Sequence, residues 1–200
     1  MKILALRNDL RDINKKIKNK LFPSSELWKS YIISNPSNVK PFKPFKHQTF
    51  QTFQTSNFSN MTINQLQDNI IEDFSQFDDW MDKYSLLIDL GNSLEPLDEK
   101  QKNPQNIIEG CQSRVWLDAE IHDGIITYKG ESDAILVKGL VSLLIQVMSG
   151  HTPDEIINTE LYFIDKIGLR EHLSPTRSNG LLAMVKQMKM FALAYKAKGS

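Results

Sequence analysis

The chain has 200 residues and a mass of 23.0 kDa, the size of one ordinary domain or of a domain with a tail. Its 24 basic and 24 acidic side chains cancel, which argues against a dedicated nucleic-acid binder. The single cysteine excludes an intramolecular disulfide framework and a Cys-cluster metal site, and it fits a reducing compartment. No apolar run reaches the ~18 residues that a spanning helix requires, and the apolar start over residues 1–6 is too short for a secretory signal.

The charge balance hides two opposed pieces. Residues 1–60 carry eleven basic and three acidic side chains, residues 61–200 thirteen and twenty-one. In the first piece, Leu6, Leu10, Ile13 and Ile17 have the spacing of a basic helix over 2–22, which Pro23 ends. Pro36, Pro41 and Pro44 keep the next stretch extended, and residues 41–58 repeat a small alphabet of Pro-Phe-Lys and Gln-Thr-Phe. Residues 1–60 therefore read as a low-complexity, mostly disordered basic extension. An organelle transit peptide, a basic arm for an anionic partner and an extension without structural use all compete for it. The lysine excess, with Asp9, Asp12 and Glu26 present, disfavours the first, and the last is preferred. Met61 stands where organised sequence begins, and is itself a candidate start.

From residue 62 the pattern becomes regular. Ile63, Leu66, Ile70, Ile71 and Phe74 trace a helical stripe with Thr62 as N-cap. A second helix carries Phe77, Trp80, Met81, Tyr84, Leu87, Ile88 and Leu90 and stops at Gly91, read as a left-handed cap. Residues 92–110 form a polar, flexible loop. Alternation then places Val115, Leu117, Ala119 and Ile121 on one face of a strand, and Arg114, Trp116, Asp118, Glu120 and His122 on the other. Asp123-Gly124 turns the chain into a returning strand over 125–129.

The next helix, about 135–148, is apolar nearly all round, and hence buried on most sides. Thr152-Pro153-Asp154-Glu155 opens a short helix with a capping box, residues 160–167 form another closed by Gly168, and Ser174-Pro175 begins the last. The expectation is an α+β fold: a small antiparallel sheet, the hairpin at about 113–130 with room for one more strand, packed against several helices. The domains are the extension over 1–60 and a folded unit over 61–200.

The one sulfur nucleophile is Cys111, in Glu109-Gly110-Cys111-Gln112-Ser113-Arg114, where the long loop enters the first strand. Gly110 permits the positive φ of a loop tip, and Arg114 with nearby amides is placed to lower the thiol pKa. A free cysteine also packs simply as a small hydrophobe. Cysteine hydrolase chemistry needs a histidine base. His122, His151 and His172 are the candidates in the folded part, each more naturally a surface or capping residue. No two His or Cys have metal-ligand spacing.

Gly110-Cys111-Gln112-Ser113-Arg114-Val115-Trp116 resembles the signature of the SufE/CsdE sulfur-acceptor proteins of iron–sulfur cluster assembly. Residues 131–139, then Thr152-Pro153, then 172–181 (His-Leu-Ser-Pro-Thr-Arg-Ser-Asn-Gly-Leu) follow in the family's order. The resemblance runs over about 61–195. It implies that Cys111 accepts sulfur from the persulfide of a SufS- or CsdA-type cysteine desulfurase, stimulates that enzyme, and passes the sulfur to a SufBCD-like scaffold. The chain is then a sulfur-transfer accessory rather than a stand-alone enzyme. Pyridoxal phosphate is expected on the partner only, with no cofactor or metal here. Gln112, Arg114, Asp133 and Arg177 are the residues expected to orient the loop or meet the partner, and Asp133 is also expected to cap the buried helix. The expected compartment is the cytoplasm, or an organelle should residues 1–60 be a transit peptide. A stand-alone cysteine-dependent hydrolase and a thiol-independent binding module remain the alternatives.

Overall fold

A computed structural model of the chain describes residues 61–199. The expected basic helix and low-complexity extension over 1–60 lie outside the described residues. Helices α1 (Ile63–Ser75) and α2 (Trp80–Asn92) come first, then strands β1 (Val115–His122) and β2 (Ile125–Ser132). Helices α3 (Ile135–Met148), α4 (Pro153–Asn158), α5 (Phe163–Lys166), α6 (Leu169–His172) and α7 (Pro175–Lys198) follow. The α+β expectation holds.

Local signals explain where most elements start. Thr62 and Gln65 form a reciprocal capping box on α1, and Thr152 with Glu155 forms one on α4 behind Pro153. The Ser174 hydroxyl accepts the Arg177 N–H at the start of α7. The hairpin is antiparallel, with Val115 opposite Ser132 and His122 opposite Ile125. It turns through Asp123 and Gly124 at φ 51° and 77°, the paired positive values of a hairpin turn that fits the strand twist.

The inner face of the hairpin carries Val115, Leu117, Ala119, Ile126 and Tyr128, all buried. Helix α3 packs over it and buries Leu136, Val137, Leu140, Val141, Leu143, Leu144, Val147 and Met148. From α7, the Tyr195 hydroxyl donates to Ala119 O, and the Tyr128 hydroxyl donates to Met188 O. Both outer edges of the ribbon are covered. Ile107 bridges to Trp116, and His151 bridges to Ile126. Among the described residues the sheet therefore has two strands, and in place of the further strand the sequence left room for there are only these two single-residue bridges.

Several expectations are corrected. Gly91 does not end α2, which runs on to Asn92 with Ser93 as a right-handed cap. A Cβ at Gly91 would lie 2.8 Å from Gly139 N, and one at Gly139 2.2 Å from Leu87 O. The two glycines let α2 and α3 cross backbone to backbone. Phe77 lies in the turn before α2, whose cap is Asp79. The helix expected over 160–167 is the single turn Phe163–Lys166, closed as expected by Gly168 at φ 75°, and a further one-turn helix, Leu169–His172, follows it where none was expected. The sequence thus promised four helices after the hairpin and the structure has five. Asp133 does not cap α3: the N-cap is Ala134, without a side-chain bond. On α7 the core takes Leu181, Met184, Met188 and Ala192, while Leu182 and Leu193 are half exposed.

Candidate functional site around Cys111

The connection expected to be a flexible polar loop is instead a strap laid along β1. Asn106 O accepts the Leu117 N–H and Ile108 N–H donates to Val115 O, both at 2.8 Å, while Leu97 and Ile108 are buried. Only residues 109–114 stand off this frame, and they carry Cys111. Gly110 adopts φ 88°, a left-handed value that a side chain would strain. The strap and β1 thus present the thiol at a short tip.

The tip folds back on the first turns of α7. The Cys111 thiol donates to Gly180 O at 3.7 Å. A Cβ on Gly180 would sit 3.1 Å from Sγ and 3.8 Å from the Cys111 Cα and Cβ, so the bare glycine is the floor of the thiol's niche. Cys111 is half-buried, and burial pushes its pKa up. A hydrogen bond given by the S–H to a carbonyl also favours the protonated form. In this geometry the sulfur is a sheltered thiol, not a standing thiolate.

Arg114 does not lower that pKa. Its backbone N–H and its Nε both donate to the Asp133 carboxylate, at 3.0 and 3.2 Å. The guanidinium lies 5.9 Å from the Trp116 ring centre. Trp116 is half-buried on the outer face, beneath Arg114 and bridged through its backbone to the strap residue Ile107. Asp133 therefore acts as the loop-restraining residue, closing the outgoing stem, with Asp133 N–H returning a bond to Arg114 O. Gln112 is exposed on the tip and Ser113 half-buried. Arg177 is half-buried one turn before Gly180 on α7, which places it at the edge of the niche.

None of the described histidines is hydrogen-bonded to the sulfur. His122 is exposed at the end of β1, 3.8 Å from Glu120. His172 stacks on Trp80 with ring centres 3.8 Å apart, and its Nδ1 lies 3.0 Å from Gly168 O. His151, expected at the surface, is buried. Its Nε2 has no hydrogen-bond partner among the described residues, and burial pushes its pKa down. The thiol–imidazole pair that a hydrolase needs is not assembled here. No group of three or more potential metal ligands occurs among the described residues.

Two contributors escape a reading of the sequence. Gly180 interrupts a long helix at a cost of about 1 kcal/mol relative to alanine, which is a signal that something must approach it. The strap's anchors, Lys102 and Glu131, are 29 residues apart and carry no local signature.

A family model described as the SufE Fe–S metabolism associated domain matches residues 68–192. The chain belongs to the SufE family. The match starts inside α1, ends inside α7 and encloses Cys111, Asp133, Arg177 and Gly180. An uncharacterized SufE-like protein of Rhizobium meliloti (strain 1021) is 42% identical over 129 residues, covering 61% of this chain and 91% of its own length. The solution structure of a hypothetical protein from Thermus thermophilus superposes with a TM-score of 0.56 at 20% identity, over 68% of this chain and 97% of that one. That likeness supports the fold alone. Membership of the SufE family connects the chain to Fe–S metabolism, and no helix among the described residues is long and apolar enough to cross a membrane.

Proposed function

We propose that this SufE-family protein is a sulfur acceptor and carrier working through Cys111. A cysteine desulfurase of the SufS or CsdA type presents a persulfide, R–S–SH. Cys111 gives up its thiol proton, and its thiolate attacks the outer sulfur. The new S–S bond to Cys111 forms as the donor S–S bond breaks. The donor leaves as a thiolate and takes up a proton, so no external oxidant or reductant is consumed. The persulfide on Cys111 then moves by the same exchange to a SufBCD-like scaffold. Removing the sulfur is what stimulates the desulfurase. Pyridoxal phosphate belongs to that enzyme, and the reaction asks for no cofactor or metal on this chain. The reducing cytoplasm, where a lone thiol stays reduced, is the compartment that suits it.

The single observation that carries this reading is the niche: one cysteine on a short tip, half-buried against Gly180 and held by a 3.7 Å contact. A cargo sulfur needs shelter from small oxidants and reductants, and release when a partner docks. The half-burial of the site against Gly180 supplies the first, and the raised thiol pKa keeps the empty cysteine a poor nucleophile while it waits. The long S–H···O contact supplies the second. Asp133 and Arg114 hold the outgoing stem, and the exposed Gln112 and the Arg177 beside Gly180 are the groups a docking desulfurase meets.

The test is intact-mass measurement after incubation of the full chain with a desulfurase and cysteine. One added sulfur atom on the wild-type chain, and none on Cys111→Ser, is the expected result. A Cys111→Ser chain that stimulates the desulfurase as well as wild type would defeat the proposal and favour a thiol-independent binding module.

A further inference from the structure

The strap that delivers the chain to Cys111 is fastened at one carboxylate. Glu131 lies on the outer face of β2, opposite Trp116. It accepts the Leu97 N–H at 2.9 Å, and its Oε2 lies 3.2 Å from Lys102 Nζ. The same ammonium reaches Glu99 at 2.9 Å. Gln101 Nε2 donates to Asp118 at 2.6 Å, and Asn106 Nδ2 donates to Gln101 O at 2.9 Å. The bonds from Asn106 and Ile108 to β1 come directly after these, and Cys111 stands three residues after Ile108.

The two stems of the cysteine tip are unequally held. On the outgoing side the Arg114 and Asp133 side chains are 70% and 41% exposed, so water screens the pair and weakens it. On the incoming side the Lys102 and Glu131 side chains are only 19% and 17% exposed. Charge-assisted bonds in that setting are stronger, and removing one partner leaves Lys102 only the exposed Glu99, or Glu131 only the Leu97 N–H. The thiol's own tether is a single long contact. The restraint on the tip therefore resides mainly in its incoming stem.

We propose that Glu131 is a positioning residue for Cys111. By tying residues 97–102 to β2 it fixes the incoming stem along β1, and so sets how readily the thiol leaves its niche at Gly180. Leu97 and Ile108 remain as apolar pins, and Glu131 with Lys102 sets the register between them. The purpose of this device, though not its physics, rests on the sulfur-carrier reading.

The experiment is iodoacetamide labelling of Cys111 in the full-length chain, comparing wild type with Glu131→Gln, Lys102→Met and the double variant. Glu131→Gln keeps the shape and an acceptor for Leu97 N–H but removes the charge. Each single variant is expected to label roughly fivefold faster, the loss of one shielded charge-assisted bond. The acceleration should be independent of low urea concentrations, as local opening is, and the double variant should be no faster than the faster single one. Wild-type labelling rates in folded variants would overturn the proposal. So would an acceleration that climbs with urea in step with global unfolding, because that is the mark of a merely structural role. If Glu131→Gln does not fold, Lys102→Met alone decides between these outcomes. Iodoacetamide needs no desulfurase, so a wild-type chain that refuses sulfur would sink the carrier reading and leave this result standing, while unchanged labelling would do the reverse.

Discussion

Helix α3 and the Cys111 tip flank the same hairpin along the chain, and they are held by opposite means. The helix buries ten of its fourteen residues and meets α2 so closely that two glycines are needed at the crossing. The tip has a positive-φ glycine, one long sulfur contact and two stems fastened mainly by polar bonds. Burial is non-directional and gives up little of its energy to a small shift, whereas a few polar bonds can be exchanged for a partner's or for water's. The sulfur carrier proposed above would have to open locally without opening globally, and this division of labour permits it.

That contrast can be broken most severely from the core side. Gly139→Ala would push a Cβ to 2.2 Å from Leu87 O, and backbone cannot yield as a side-chain tip can. A loss of about 3 kcal/mol is expected from such overpacking, read from urea unfolding. Cys111 labelling should then follow global unfolding, which it should not do in wild type. An unchanged urea midpoint would show that the helices separate easily and that the core is less rigid than its packing implies.

A smaller effect comes from His151. Its pKa is depressed by burial, with Glu155 opposing weakly, so the unfolded chain binds the proton more tightly than the folded one. Its cost to stability is absent well above the unfolded value of about 6.5 and grows as pH falls through and below that value. Urea midpoints measured downward from neutral pH should decline less steeply in His151→Gln than in wild type. Parallel slopes would remove His151 from the acid response.

The comparison sharpens at Gly180→Ala. The new methyl would meet Sγ at 3.1 Å, yet alanine improves helix propensity by about 1 kcal/mol. The expected outcome is a frame as stable as wild type or more so, with Cys111 labelling several-fold faster. The pH profile should move too. The raised thiol pKa stabilises the closed tip below the ordinary thiol value of about 8.5, and that contribution is lost as pH rises through the raised one. Wild-type labelling should therefore turn on at higher pH than labelling of Gly180→Ala. Coincident profiles would mean that the niche does not shelter the sulfur. Smallest of all, Arg114→Ala should change labelling by less than about twofold, because its pair with Asp133 is open to water.

Much of the frame was legible because it is written locally. Thr62 with Gln65, Thr152 with Glu155, Ser174-Pro175 and Asp123-Gly124 each act within three residues, and the alternation of β1 shows its buried face directly. The cysteine was legible from its neighbours in the chain and from the ordered blocks behind it. What surrounds the cysteine was not. Gly180 meets it from 69 residues away, Arg114 takes Asp133 from 19 away, and Glu131 holds Leu97 across 34. Gly91 misled because a glycine near a helix end signals a cap and a close crossing alike, and only the position of Gly139 tells them apart. Asp133 misled for a similar reason: a carboxylate before a helix reads as a cap until a competing arginine is placed beside it.

The covered rims of the ribbon have a consequence for docking. With Ile107 on the outside of β1 and His151 on the outside of β2, the exposed amides and carbonyls that would invite a visitor's strand are occupied at both places. On the carrier reading proposed above, a partner that loads or unloads Cys111 cannot do so by lengthening the sheet there. It has to read side chains and contour, which favours selectivity for a few shapes over the indiscriminate welcome of an open β edge.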